Sequence, residues 1–212
     1  MSAINAGTPL LITGMKMSRE EFIETWEHEP NLKCAELIDG TVFVSSPVSL
    51  DHGLYEILMA AWLEAYSSKV PGWMCATNIT WYIQESAPQP DVSLFRSDVG
   101  TEDRGLYPVG VPAVAVEVCV SSRDYDFGPK KALYQRSGVP EYITVETFSK
   151  AITWRTLVDG SYQNLPVGDD GIIRSRVLPG LWLDVAALWR HHGDALRDCV
   201  RRGIAEVKGD AG

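Results

Sequence analysis

The chain has 212 residues, of which 45% are hydrophobic and 22% charged, enough for a real core; a single globular domain is expected over 17–212, preceded by an N-terminal arm at 1–16. No run approaches the roughly 18 to 20 apolar residues of a membrane-spanning helix, and Met1 to Met15 lacks the basic start and long apolar stretch of a secretory signal, so a cytoplasmic protein without a membrane partner is expected. The formal net charge of −9 argues against a protein that holds nucleic acid by diffuse charge attraction, which depends on many cationic side chains.

Ser18-Arg19-Glu20-Glu21 has the form of a capping box and predicts a helix from Ser18, carrying Phe22, Ile23 and Trp26 inward and ending before Pro30. Ile38-Asp39-Gly40-Thr41 places a turn between Cys34 to Leu37 and Val42 to Val44, which reads as a β-hairpin. From Ser49 to about Ser68, the positions Leu54, Ile57, Leu58, Ala61, Trp62 and Ala65 recur at helical spacing and predict one buried stripe. Strands are expected at Met74 to Ile83, Asp91 to Phe95 and Pro112 to Val120. A helix is expected from Gly128 to Arg136, with Asp126 as its N-cap and Gly138 as its stop.

Beyond it, Glu141 to Glu146, Ala151 to Leu157 and Ser161 to Leu165 read as strands, the last two joined across Asp159-Gly160. Short helices at Asp184 to His191 and Leu196 to Arg201 complete the chain. The order predicts a mixed α/β (α+β) fold with helices on either side of a central mixed sheet. Cys34, Cys75, Cys119 and Cys199 have neither CxxC spacing nor a disulfide pattern, so reduced thiols are expected. Two basic clusters, Lys130, Lys131 and Arg136, and Arg197, Arg201 and Arg202, offer local relief from the acidic total. Trp154, Trp182 and Trp189 read as core residues rather than as a subunit contact.

The chemistry is carried by a carboxylate in an apolar strand. Along Ala113 to Val120, alternation puts Val114, Val116, Val118 and Val120 on one face and Ala113, Ala115, Glu117 and Cys119 on the other. An ionised carboxylate there requires a partner, a hydrogen bond or a metal. Asp91 opens another strand after Pro90, and adjacent strands would set Asp91 beside Glu117. Two converging carboxylates suit a hard cation, Mg²⁺ or Mn²⁺. Such an ion could polarise a phosphodiester and activate water.

These residues resemble the PD-(D/E)XK nucleases, and within them the Uma-two family of restriction-endonuclease-like proteins. The resemblance covers roughly residues 17 to 190 and rests on Glu36-Leu37-Ile38-Asp39-Gly40, Ser46-Pro47, His52, Pro90-Asp91, Val116-Glu117-Val118, Asp126, Lys130, Tyr134, Gly138-Val139-Pro140-Glu141-Tyr142 and Leu178-Pro179-Gly180-Leu181. It implies a restriction-endonuclease-like core and a metal site at Asp91 and Glu117. The wider superfamily has a lysine two residues after the second acid, where Cys119 stands here. In the Uma-two group the lysine lies on the next helix, at Lys130, which shares a helix face with Leu133 and Tyr134. Glu36 and His52 match family positions and are further site candidates; Tyr134 and Asp126 are expected to orient the lysine helix.

The leading expectation is a Mg²⁺-dependent endonuclease acting on DNA through Asp91, Glu117 and Lys130, with a homodimer implied by the resemblance. The acidic surface and the displaced lysine keep two alternatives open. One is a non-catalytic nucleic-acid-associated or protein-interaction module that retains the fold. The other is a metal-dependent phosphodiesterase acting on RNA or nucleotides.

Overall fold

In the computed structural model, residues 10–29, 31–45, 47–119 and 126–209 are described. Residues 1–9, Pro30 at the expected helix end, Ser46 of the resemblance and Val120 of the valine face lie outside them. Ser18 caps the first helix, α1 (Arg19–Glu27): its hydroxyl accepts from the Glu21 N–H while the Glu21 carboxylate accepts from the Ser18 N–H. Strands β1 (Ala35–Ile38) and β2 (Thr41–Val44) form the expected hairpin, with Asp39 and Gly40 at positive φ in the turn. The described part of the N-terminal arm packs along this hairpin: Gly14 N–H donates to Val42 O, and Leu11 is buried.

Helix α2 (Leu50–Ser67) is capped by Ser49, whose hydroxyl accepts from the His52 N–H. Its buried stripe is rotated from the expected one. Tyr55, Met59, Trp62, Leu63, Ala65 and Tyr66 face the core, while Leu54 and Ile57 are exposed. Both sets fit helical spacing, and the set with the two tyrosines buries the larger rings against the sheet and the C-terminal helix. Strand β3 (Trp73–Thr77) stops well short of Ile83, because Asn78 takes a left-handed backbone (φ 52°) that no strand continues through. Strand β4 (Val92–Arg96) follows, and the two-residue strands β5 (Thr101–Glu102) and β6 (Tyr107–Pro108) pair with each other.

Strand β7 (Val114–Cys119) is buried throughout. Asp126, the expected N-cap, lies within a helical turn, and Lys130 takes the N-cap position of the α-helix. Residues Asp126–Lys130 instead make a π-helical turn containing Pro129, and the α-helix proper, α3 (Lys131–Ser137), starts after it and ends at Gly138 in the left-handed conformation (φ 86°). Proline has no N–H to donate into an α-helical ladder, so a wider turn accommodates it. Strands β8 (Glu141–Glu146), β9 (Ala151–Val158) and β10 (Ser161–Asn164) come next, β9 and β10 joined through Asp159 and Gly160 at positive φ.

Strands β11 (Ile172–Arg174) and β12 (Trp182–Asp184) form a small separate pair that sequence periodicity misses, since three residues are too few to show alternation. Asp184 caps α4 (Val185–Trp189), and α5 (Gly193–Gly209) runs well beyond the expected Arg201. Gly203 does not stop α5. It sits where the helix crosses Gly180 and Trp182 so closely that an added Cβ would lie 2.5 Å from Gly180 O.

The main sheet has the order β10-β9-β8-β7-β4-β3, with β7 and β8 parallel and every other neighbouring pair antiparallel. A parallel pair needs a crossover, and the π-turn with α3 lies within it. On one face, α2 and α5 pack against Val92, Leu94, Val114, Val116, Val118, Ile143 and Val145. On the other, Leu133 and Tyr134 of α3 pack against Ala115, Phe95, Trp81 and Tyr142. Trp154 and Trp182 are buried, and Trp189 packs on Tyr55.

Candidate active site

Glu117 projects from β7 on the small-residue side, where Ala115 makes room for α3. Lys130 ends the π-turn on the face that Leu133 and Tyr134 continue, and all three are buried. Its Nζ lies 2.7 Å from Glu117 Oε1 and 2.8 Å from Glu36 Oε1 on β1, and donates to Gln89 O at 3.2 Å. Glu36, Glu117 and Lys130 are 5%, 2% and 2% exposed. A buried ammonium therefore binds two buried carboxylates, an arrangement whose desolvation cost is of the same order as its attraction. Tyr134 OH donates to Glu117 Oε1 at 3.1 Å, so the tyrosine orients the acid as well as the helix.

Asp91 stands one residue before β4. Extending the β4–β7 register from Val92↔Val116 sets it opposite Glu117. Its Oδ2 accepts the Val118 N–H at 2.6 Å and lies 3.3 Å from His52 Nε2. Asp91 is thus fixed to the peptide that follows Glu117, and the four elements β1, β4, β7 and the π-turn converge at one end of the sheet. His52 comes from the first turn of α2. Its Nδ1 lies 3.6 Å from Glu56 Oε2, beyond hydrogen-bond reach, so that pairing is electrostatic. The Asp91 carboxylate, and after it Glu56, push the His52 pKa up to about 10, so the imidazole is a cation at neutral pH.

A family model for Uma2, described as a putative restriction endonuclease, matches residues 19–186. The chain belongs to the Uma2 family. The crystal structure of a putative nuclease belonging to DUF820 from Anabaena variabilis ATCC 29413 is similar in fold, with a TM-score of 0.67 at 14% identity, over 83% of this chain and 99% of that one. No curated protein matches the chain. The Uma2 match and the fold together make this a nuclease-like protein.

Two features of this candidate site were hidden in the sequence. Gln89 ties it together through its backbone, with its carbonyl on Lys130 and its N–H on Glu36 Oε1 at 2.5 Å, while its side chain donates to Thr80 Oγ1 and accepts from Cys34 Sγ. Backbone contacts leave no mark on residue type. The nearest signal was position, two residues before Asp91. Glu56 is the other, since nothing in its position on α2 sets it apart from any other polar helix residue.

The basic clusters offer less relief than their sequence suggested. Lys130 is spent on Glu36 and Glu117, Arg136 pairs with Asp39, and Arg197 and Arg201 pair with Asp194 and Asp198 on their own helix.

Among the described residues, no three His, Cys, Asp or Glu side chains converge tightly enough to hold a metal alone. Magnesium does not require that, because it keeps several waters and takes one or two carboxylates. The donor set here is all oxygen: Asp91 Oδ1 and Glu36 Oε2 face no donor among the described residues, and Glu117 stands beside them. Four carboxylates, Glu36, Glu56, Asp91 and Glu117, meet two cations, Lys130 and His52.

Proposed function

We propose that the chain is a Mg²⁺-dependent endonuclease that hydrolyses DNA phosphodiester bonds, with Asp91 and Glu117 holding the ion and Lys130 beside them. The observation that carries this reading is the Lys130 ammonium, 2% exposed and bound by Glu117 and Glu36, with Glu117 opposite Asp91 in the extended β4–β7 register. Packed apolar residues of equal volume would hold the fold as well or better, so the buried charges point to chemistry.

When bound, Mg²⁺ or Mn²⁺ would lower the pKa of a coordinated water and neutralise charge on the phosphate. Lys130, aimed by Glu36 and Gln89 O, would orient the attacking water and stabilise the negative charge that grows on the phosphoryl oxygens. Tyr134 would keep Glu117 in its rotamer. Water adds to phosphorus, one P–O ester bond breaks, and the leaving oxygen gains a proton. A homodimer accompanies this reading by family likeness, and the cytoplasmic location expected from the sequence is compatible with it.

One observation favours a second reading. Lys130 and Arg136 of one expected basic cluster, and Arg197 and Arg201 of the other, are paired with acids, which leaves those faces less positive charge to offer a duplex. A non-catalytic module, or an enzyme acting on RNA or nucleotides, would need less.

The test is cleavage of supercoiled plasmid, single-stranded DNA and RNA in Mg²⁺, Mn²⁺ and EDTA by wild type, Asp91→Asn and Lys130→Gln. Divalent-dependent nicking of plasmid that falls at least about a hundredfold in both variants is expected. Equal cleavage by all three proteins would sink the assignment, and cleavage of RNA alone would move it to the second reading.

A further inference from the structure

Glu56 closes a ring of polar contacts that begins and ends at Asp91. Asn78 N–H donates to Asp91 O at 3.2 Å, and Asn78 Nδ2 donates to Glu56 Oε1 at 2.6 Å. Glu56 Oε2 faces His52 Nδ1 at 3.6 Å, and His52 Nε2 faces Asp91 Oδ2 at 3.3 Å. The ring joins α2 to the loop after β3 and to the residue before β4.

Glu56 and His52 are four residues apart on α2, and such pairs usually lie in solvent and contribute only a few tenths of a kcal/mol. Two observations set this pair apart. The side chains are only 20% and 18% exposed, and His52 Nδ1 is buried with no hydrogen-bond partner among the described residues. Asn78 meanwhile adopts a left-handed backbone (φ 52°), a conformation uncommon outside glycine, and in that conformation its backbone reaches Asp91 while its side chain reaches Glu56.

The effect falls on Asp91. Its Oδ2 is held from two sides, by Val118 N–H and by His52, while Oδ1 meets no donor among the described residues. Contacts of this kind around a metal-binding carboxylate fix which oxygen faces the ion, and their loss typically weakens metal affinity about 10- to 100-fold.

We propose that Glu56, anchored by Asn78, is a positioning residue that holds His52 against Asp91 and thereby turns Asp91 Oδ1 toward the divalent cation. The inference rests on the reading of Asp91 as a metal ligand. The test is Mn²⁺ binding, followed by electron paramagnetic resonance at fixed pH in the absence of substrate. Wild type is compared with Glu56→Ala, Glu56→Gln, Asn78→Gly, Asp91→Asn and, on an exposed position of the same helix, Glu64→Ala; melting temperatures are measured alongside.

Glu56→Ala and Asn78→Gly are expected to raise the Mn²⁺ dissociation constant about tenfold, with Glu56→Gln partly restored because its amide oxygen still accepts from Asn78. Glu64→Ala should bind as wild type. Asn78→Gly keeps the left-handed backbone, so it carries the test if Glu56→Ala fails to fold. Wild-type affinity in Glu56→Ala and Asn78→Gly, with binding lost in Asp91→Asn, would overturn the inference and leave the nuclease reading standing. Equal binding by wild type and Asp91→Asn, or none by either, would overturn both.

Discussion

Glu117 was legible as an exception to a local pattern, a carboxylate in an otherwise apolar strand, whereas Lys130 was picked out by family likeness, the helix face it shares with Leu133 and Tyr134 permitting the choice. His52 and Glu36 were visible only through family likeness, and Gln89 not at all, since its contribution to Lys130 and Glu36 comes from its backbone. His52 also makes a prediction about pH. Its folded pKa, raised to about 10 chiefly by Asp91, lies above the ordinary 6.5. The stability from its charged contacts is therefore full below pH 6.5 and fades as pH rises through 10. In metal-free buffer, urea titrations should find His52→Ala most destabilised relative to wild type near pH 6, with the gap closed by about pH 11. A gap independent of pH would mean that His52 stabilises by packing rather than by charge.

At the scale of elements, punctuation was easier to read than faces. The capping box of α1 and the turns at Asp39-Gly40 and Asp159-Gly160 lie where local chemistry puts them, because each satisfies backbone groups within a few residues. The stripe of α2 was misplaced, since Leu54 and Ile57 suit a helix face as well as Tyr55 and Met59 do, and only the sheet and α5 decide between them. Gly203, beyond the expected end of the last helix at Arg201, lies inside α5 and is a crossing point. Gly203→Ala would press a methyl group on Gly180 O and the Trp182 ring, at 2.5 and 2.7 Å. A loss of about 1 to 3 kcal/mol is expected, which calorimetry should read as a melting temperature lower by roughly 3 to 10 °C. Gly53→Ala, with open space around it in α2, should instead raise stability by up to about 1 kcal/mol. If both variants melt alike, α5 does not cross Gly180 as closely as described.

For the molecule as a whole, the mixed sheet with helices on both faces was readable from the order of its elements. The full pairing order was not, because β7 meets β8 only after the crossover; the β4–β7 adjacency was expected only from the two carboxylates it would bring together, with β5 and β6 lying between these strands in sequence. The crossover is what brings Lys130 beneath Glu117. The net charge of −9 has a consequence at this scale too. On the proposed reading, a chain this acidic, with Arg136, Arg197 and Arg201 paired to nearby acids, would attract a phosphate through a bound cation at one place rather than through a broad basic surface. The carboxylates of Asp91, Glu117, Glu36 and Glu56 would make that place.

The most direct test is a crystal soaked in Mn²⁺ and measured at the manganese absorption edge, where the anomalous signal locates the ion without reference to activity. A peak within about 2.5 Å of carboxylate oxygens of both Asp91 and Glu117, with the Lys130 ammonium adjacent, is the predicted result. A peak elsewhere, with the Asp91 and Glu117 oxygens contacting only protein and water, would contradict it.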